Sequence, residues 1–203
     1  EAYDWLGVMM ASLGVITAII ETNTTEDNLD QRKNALMAGV ALIKEQNSDS
    51  NSPIYNKIDE AQIGIMGHSL SGGASLRAAE ELSGDIKAVI PLAPYCCELG
   101  QSFEGDLNGV SVPTLIVATA EDTIAPPDTH ARLLYDSIND STPRVYLEFA
   151  TGNHMLATNT GPDLQTLGTY IYSFLKSNFT GESKYADFID GEGEEQFSSS
   201  ETN

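Results

Sequence analysis

Apolar residues recur along the chain in two rhythms, one helical and one continuous. Trp5, Leu6, Met9, Met10 and Leu13 follow helical spacing, and Gly14 ends the pattern as a C-terminal cap would. Val15 to Ile20 is instead an unbroken apolar run rich in β-branched residues, ending in the polar stretch Glu21 to Thr25. That pattern predicts a buried strand followed by a loop. From about Asp30 to Gln46, Leu36, Met37, Val40, Ala41 and Ile43 mark an amphipathic helix. Asn47 to Asn56, rich in Asn, Ser, Asp and Pro, reads as a surface loop. Further on, Ile63–Met66, Lys87–Leu92, Thr114–Thr119 and Arg144–Phe149 predict buried strands. Ser71–Leu82, Thr129–Ile138 and Leu164–Asn178 predict helices, and Cys96 to Ser111 reads as irregular.

Buried strands alternating with amphipathic helices predict an α/β fold with a mostly parallel sheet. In such sheets ligands bind beyond the carboxyl ends of the strands. Ser69, Asp122 and His154 each follow the end of a predicted strand, so all three are expected at one edge of the sheet. Ser69 stands in Gly67-His68-Ser69-Leu70-Ser71-Gly72-Gly73, a strand, sharp turn and helix start. Serine is a weak nucleophile that needs a base within reach and N–H groups for a developing oxyanion, which a strand-to-helix elbow supplies. The elbow pattern asks for glycine two residues either side of the serine. Gly67 meets the first requirement, whereas Ser71 stands in the second place, a small residue followed by Gly72 and Gly73.

The order serine, acid, histidine is that of α/β-hydrolases, with 53 residues from Ser69 to Asp122 and 32 from Asp122 to His154. In this reading Ser69 is the nucleophile and His154 the base, while Asp122 holds the imidazole tautomer and Leu70 N–H contributes to the oxyanion hole. Taken singly, Ser69 also reads as a helix N-cap, Asp122 as a loop-capping aspartate and His154 as a surface histidine. His68 adjoins the nucleophile and should point elsewhere. His130 falls on the helix after the acid loop.

Composition narrows the picture. With 203 residues the length suits one domain, 41% hydrophobic, and 30 acidic against 10 basic residues give a formal net charge of −20. Such a surface disfavours nucleic acid as a partner. No apolar run reaches membrane-spanning length. The two cysteines, Cys96 and Cys97, are adjacent and form no ordinary disulfide framework. His68, His130 and His154 are spread along the chain without a ligand-like spacing to the cysteines, so no metal site is expected. The expected organisation is one domain over residues 1–190 and an acidic, flexible tail over 191–203. With neither an initiator methionine nor a signal peptide at Glu1, upstream sequence is expected to be absent from the chain.

Several stretches together resemble the bacterial cutinase and poly(ethylene terephthalate) hydrolase family. They are Gly67-His68-Ser69-Leu70, Ile90-Pro91-Leu92-Ala93-Pro94-Tyr95, Val112-Pro113-Thr114-Leu115-Ile116, Asp122-Thr123-Ile124-Ala125-Pro126, Thr129-His130-Ala131 and Gly152-Asn153-His154. Tyr146-Leu147-Glu148 and Tyr185-Ala186-Asp187-Phe188 extend the likeness over nearly the whole chain. The resemblance implies an α/β-hydrolase fold and a secreted, cofactor-free carboxylic ester hydrolase. It implies action on polyesters and short-chain esters in a shallow cleft, with Tyr95, Ile124 and Met155 as substrate-binding residues. Two other readings stand beside it: a lipase or small-ester esterase, and a catalytically silent hydrolase-fold binding module.

The chain departs from the family pattern at named places. Tyr95 holds a position that is usually tryptophan, Met155 one usually small or aromatic, and Asp190 lies where a family cysteine would begin a C-terminal bridge. The loop after Tyr95 is longer. The family pattern also places several strands ahead of this chain's first helix, one of them inside the sheet between Val15–Ile20 and Ile63–Met66. It draws the second oxyanion donor from a tyrosine-bearing loop in the same region. The chain is therefore expected to be an N-terminally incomplete fragment.

Overall fold

Asn28 and Gln31 show how local chemistry sets the first long element. In the computed structural model, which describes residues 2–21, 24–98, 100–190 and 197–202, the Asn28 side chain accepts the Gln31 N–H. The Gln31 side chain accepts the Asn28 N–H in return, a reciprocal cap that starts helix α2, Leu29–Ser48. Before it, α1 spans Asp4–Ser12. Gly14, at φ 83°, lets its own N–H and that of Val15 turn back onto the carbonyls of Ala11 and Met10, which closes the helix end.

The remaining elements are β1 Gly64–His68, α3 Leu70–Glu81, β2 Ala88–Leu92, β3 Thr114–Thr119, α4 Ala131–Ser137, β4 Arg144–Phe149, α5 Leu164–Thr180, α6 Ser183–Asp190 and β5 Phe197–Thr202. The sheet order is β1-β2-β3-β4-β5, parallel through β4 and antiparallel between β4 and β5. This bears out the α/β class and the mostly parallel sheet flanked by helices.

The central strands read as unbroken apolar runs because both of their faces are covered. Val89, Ile116 and Tyr146 turn to one face, packed with Val40 of α2, Leu76 of α3 and Leu134 of α4. Their neighbours Ile90, Leu115, Val117, Val145 and Leu147 turn to the other, against Met10 of α1 and Leu167, Ile171 and Phe174 of α5. The two-residue period of a strand thus divides one hydrophobic run between two cores.

Two expectations are corrected. Val15 to Ile20 is not a buried strand: the segment pairs with no strand among the described residues, and Ile16 and Ile19 are each 49% exposed. An apolar β-branched run still needs a ladder partner to become a strand. Here it lies against helices instead, with the Ile19 and Ile20 side chains over Gly7 of α1 and Gly39 of α2. The second correction concerns the tail. Residues 197–202 form β5 along the free edge of β4. An open edge offers backbone donors and acceptors that a polar segment can satisfy without an apolar face of its own. Residues 191–196 lie outside the described residues.

Candidate active site

The elbow begins with backbone geometry. Ser69, between β1 and α3, has φ 59° and ψ −127°, a region that side-chain-bearing residues seldom occupy and that costs on the order of 1–3 kcal/mol. Close approach on both sides holds the serine there. A Cβ on Gly67 would lie 2.0 Å from the Ser71 carbonyl oxygen, one on Gly72 2.8 Å from Pro94 Cα, and one on Gly73 2.2 Å from the Tyr95 carbonyl oxygen. Three glycines are therefore required where the chain has them. Ser71 is tolerated because its Oγ turns to α2 and accepts a hydrogen bond from Arg32 Nη1 at 3.2 Å.

Beyond the strand ends the three expected residues meet. His154 Nε2 is 2.7 Å from Ser69 Oγ, and His154 Nδ1 is 2.7 Å from Asp122 Oδ2. The N–H groups of Ile124 and Ala125 each donate to Asp122 Oδ1 at 2.8 Å, so both carboxylate oxygens are engaged. Asp122 and His154 are buried, and Ser69 is partly exposed. Burial alone pushes the Asp122 carboxyl up. The hydrogen bonds from His154, Ala125 and Ile124 outweigh it and hold the group below its ordinary value. An ionised carboxylate on Nδ1 favours the tautomer whose Nε2 lone pair points at the serine hydroxyl. Leu70 is the first residue of α3, where an N–H has no carbonyl one turn earlier to bond.

His68 is the participant that sequence reasoning did not assign. Its Nε2 lies 2.6 Å from the His154 carbonyl oxygen, which can only accept, so Nε2 carries the proton. Nδ1 is then the acceptor for Tyr3 O–H at 2.9 Å. A chain from Tyr3 through His68 thus braces the backbone of the histidine facing Ser69. Burial pushes His68 down to about 4, so it is neutral near pH 7. The available signal was its place beside the nucleophile: strand alternation aims it away from Ser69, though nothing local says at what.

The surroundings are apolar and open. Ile124 is 57% and Met155 44% exposed. Tyr95 is half-buried, donates its N–H to the Ser69 carbonyl at 2.8 Å, and packs its ring on His130 at 4.1 Å between centroids. His130 is buried, and burial lowers its pKa. The wide separation of His130 from the cysteines along the chain, the ground for expecting no Cys/His cluster, does not hold in space. Cys96 N–H donates to His130 Nδ1 at 3.2 Å, and Cys96 and Cys97 are joined as a disulfide. An open cavity of about 520 Å³ lies beside this pair, away from Ser69.

Over residues 1–203 the sequence matches the family described as PET hydrolase-like. The chain belongs to that family. Similar proteins include Cutinase est1 of Thermobifida alba, 36% identical over 185 residues that cover 91% of this chain and 58% of that protein. Cutinase cut1 of Thermobifida fusca is 35% identical over 187 residues, 91% of this chain and 54% of that protein. The bis(hydroxyethyl) terephthalate hydrolase of Streptomyces coelicolor is 36% identical over 185 residues, 91% and 55% respectively. The chain thus spans little more than half the length of these three relatives. Family membership carries the α/β-hydrolase fold with it, in agreement with the parallel sheet and its flanking helices. Among the described residues no helix is long and apolar enough to cross a membrane.

Proposed function

We propose that the chain is a serine-dependent, cutinase-like carboxylic ester hydrolase acting on polyesters and short-chain esters, with Ser69 as nucleophile, His154 as base and Asp122 as its orienting acid. The observation that carries this reading is the continuous hydrogen-bonded run from Asp122 through His154 to Ser69 Oγ, with both links at 2.7 Å. His154 Nε2 takes the hydroxyl proton as Ser69 Oγ bonds to the ester carbonyl carbon. The carbon–oxygen bond to the alcohol then breaks, and His154 returns the proton to the departing oxygen. Water, activated by the same nitrogen, adds to the acyl-enzyme and releases the acid. Leu70 N–H receives the oxyanion, a contact of a kind worth about 10²–10³ in rate.

Tyr95, Ile124 and Met155 are proposed as the substrate contacts. The exposed apolar surface of Ile124 and Met155, with the half-buried Tyr95 ring, around a partly buried serine suits a chain that lies across the site better than a small molecule that enters a closed pocket. Relatives whose names state cutinase and bis(hydroxyethyl) terephthalate hydrolase support the same substrate class. The acid-base and covalent steps draw on protein side chains alone, and export from the cell, implied by the family resemblance, belongs to the same proposal.

A fluorophosphonate probe followed by peptide mapping tests the chemistry. One adduct on Ser69, absent from Ser69→Ala, is expected, together with hydrolysis of p-nitrophenyl butyrate. No adduct in folded protein overturns the hydrolase reading in favour of a silent binding module. Release of aromatic monomers from poly(ethylene terephthalate) film is expected as well. Cleavage of the short ester without attack on film would instead mark a small-ester esterase.

A further inference from the structure

Outside the serine site, the fold gathers soft donor atoms that the ester chemistry does not use. Cys96 Sγ, Cys97 Sγ and His130 Nδ1 all lie within 4.8 Å of one another. A single ion bonded at about 2.3 Å to sulfur and 2.0–2.1 Å to nitrogen bridges donors at such separations. We propose that, once its disulfide is reduced, the Cys96–Cys97 pair forms with His130 a three-ligand binding site for one thiophilic divalent cation of the zinc or cadmium class.

The donors are held by groups on every side. The Tyr95 backbone is fixed to the elbow by its N–H bond to the Ser69 carbonyl, and the Tyr95–Cys96 segment rests directly on Gly73 of α3. His130 is held by its own N–H, which donates to the Pro126 carbonyl at 3.1 Å, and by the Tyr95 ring. A backbone N–H can only donate, so the Cys96 N–H contact at 3.2 Å identifies Nδ1 as the nitrogen that carries the lone pair. That lone pair lies 3.2 Å from Cys96 Sγ. Imidazole nitrogen with two thiolates is a donor set that selects zinc-like ions over magnesium or calcium.

Access also fits. Cys96 and His130 are buried, whereas Cys97 is partly exposed and opens with Cys96 onto the 520 Å³ cavity. Glu98, Gln101 and Glu104 line the same cavity, leaving room for a water as fourth ligand and a negative approach for a cation. Arg77 lines it too, but its Nη1 is paired with Glu80 and the Asp106 carbonyl.

The chemistry balances as follows. A phosphine reductant breaks the sulfur–sulfur bond and becomes the phosphine oxide with oxygen from water, and the two sulfurs leave as thiols. Binding of the divalent ion then releases one proton from each thiol and forms two sulfur–metal bonds and one nitrogen–metal bond. The charge of the ion is offset by the two thiolates, and the long Cys96 N–H contact to Nδ1 is exchanged for the nitrogen–metal bond.

The test uses the full chain under anaerobic conditions, before and after phosphine reduction, with the phosphine removed. Thiols are counted with a chromogenic disulfide, cadmium is titrated by its thiolate charge-transfer absorbance, and zinc by competition with a chromophoric chelator. One equivalent of either ion per reduced chain is expected, and none per oxidised chain. Cys97→Ser, a change at a partly exposed position, should abolish the absorbance band, and His130→Ala should weaken zinc at least ~10-fold. Equal uptake by oxidised and reduced protein, or by reduced protein and Cys97→Ser, overturns the site. Unchanged zinc affinity in His130→Ala overturns the three-ligand assignment. Melting curves confirm that each variant is folded, and the oxidised-against-reduced comparison needs no variant at all. No readout involves ester hydrolysis, so this proposal and the hydrolase reading stand or fall separately.

Discussion

At the scale of single residues, the site depends on side chains that hold other side chains in place. His68 is neutral because it is buried between Tyr3 O–H and the His154 carbonyl, and its pKa falls from 6.5 to about 4. The unfolded chain therefore binds a proton that the folded chain refuses between those values. The stabilisation this affords is complete above pH 6.5 and is lost as pH drops toward 4, by on the order of 3 kcal/mol at most. His68→Gln, which keeps a donor for the His154 carbonyl but does not titrate, should flatten the fall in Tm across that window relative to the parent. Parallel Tm curves for the two proteins would remove His68 as the titrating group. The elbow separates two other positions in the same way. Gly67→Ala would set a Cβ 2.0 Å from a backbone oxygen, so it should lower Tm and, under the proposed function, abolish ester hydrolysis. Ser71→Gly loses only the Arg32 hydrogen bond and should stay within about 1 kcal/mol of the parent by denaturant unfolding, with activity retained. The expected pattern glycine is thus dispensable at 71 and indispensable at 67.

At the scale of elements, α2 is the support behind that elbow. It reaches α3 through Arg32 to Ser71 and Lys33 to Glu81, and Val40 joins the core against β1 and α3. Its start rests on the Asn28 cap, so Asn28→Ala should cost about 1 kcal/mol and lower Tm by roughly 2–4 °C for a chain of this length, whereas Asn28→Asp should restore it. Scanning calorimetry reads both, and an unchanged midpoint for Asn28→Ala would mean that α2 is held by packing alone. The same elements show what a sequence can display. β3 and β4 were legible to the residue because their apolar runs are bounded by Pro113 and Pro143 and buried on both faces. The meeting of Ser69, Asp122 and His154 was legible because parallel strands deliver their following loops to one edge. Val15 to Ile20 and residues 197–202 were not legible, since pairing is decided by which edge is open and no residue within either segment records that. His68 and the Cys96–Cys97–His130 cluster were hidden for a related reason: their partners lie 65 to 86 residues away for His68 and 34 for Cys96.

At the scale of the whole molecule, the chain carries 30 acidic side chains against 10 basic ones, and the balance of attraction and repulsion sets the response to salt. The ion pairs that do form, such as Lys33 with Glu81, Lys44 with Asp85 and Arg144 with Asp140, have exposed carboxylates, a class worth about 0–1 kcal/mol per pair. Salt weakens these pairs and, more extensively, the repulsion among the surplus carboxylates, because repulsion acts between all of them and not only between neighbours. The Debye length shrinks from about 30 Å at 0.01 M to about 3 Å at 1 M, which spans the distances over which like charges on a domain of this size interact. The net effect should therefore be stabilising: Tm in sodium chloride should rise by several degrees between roughly 0.01 M and 1 M. Potassium chloride should give the same rise, as expected of screening rather than of a bound cation. A Tm that falls with salt would mean that the few ion pairs outweigh the surplus of negative charge. A rise with divalent cations alone would instead move the explanation from screening to a specific site.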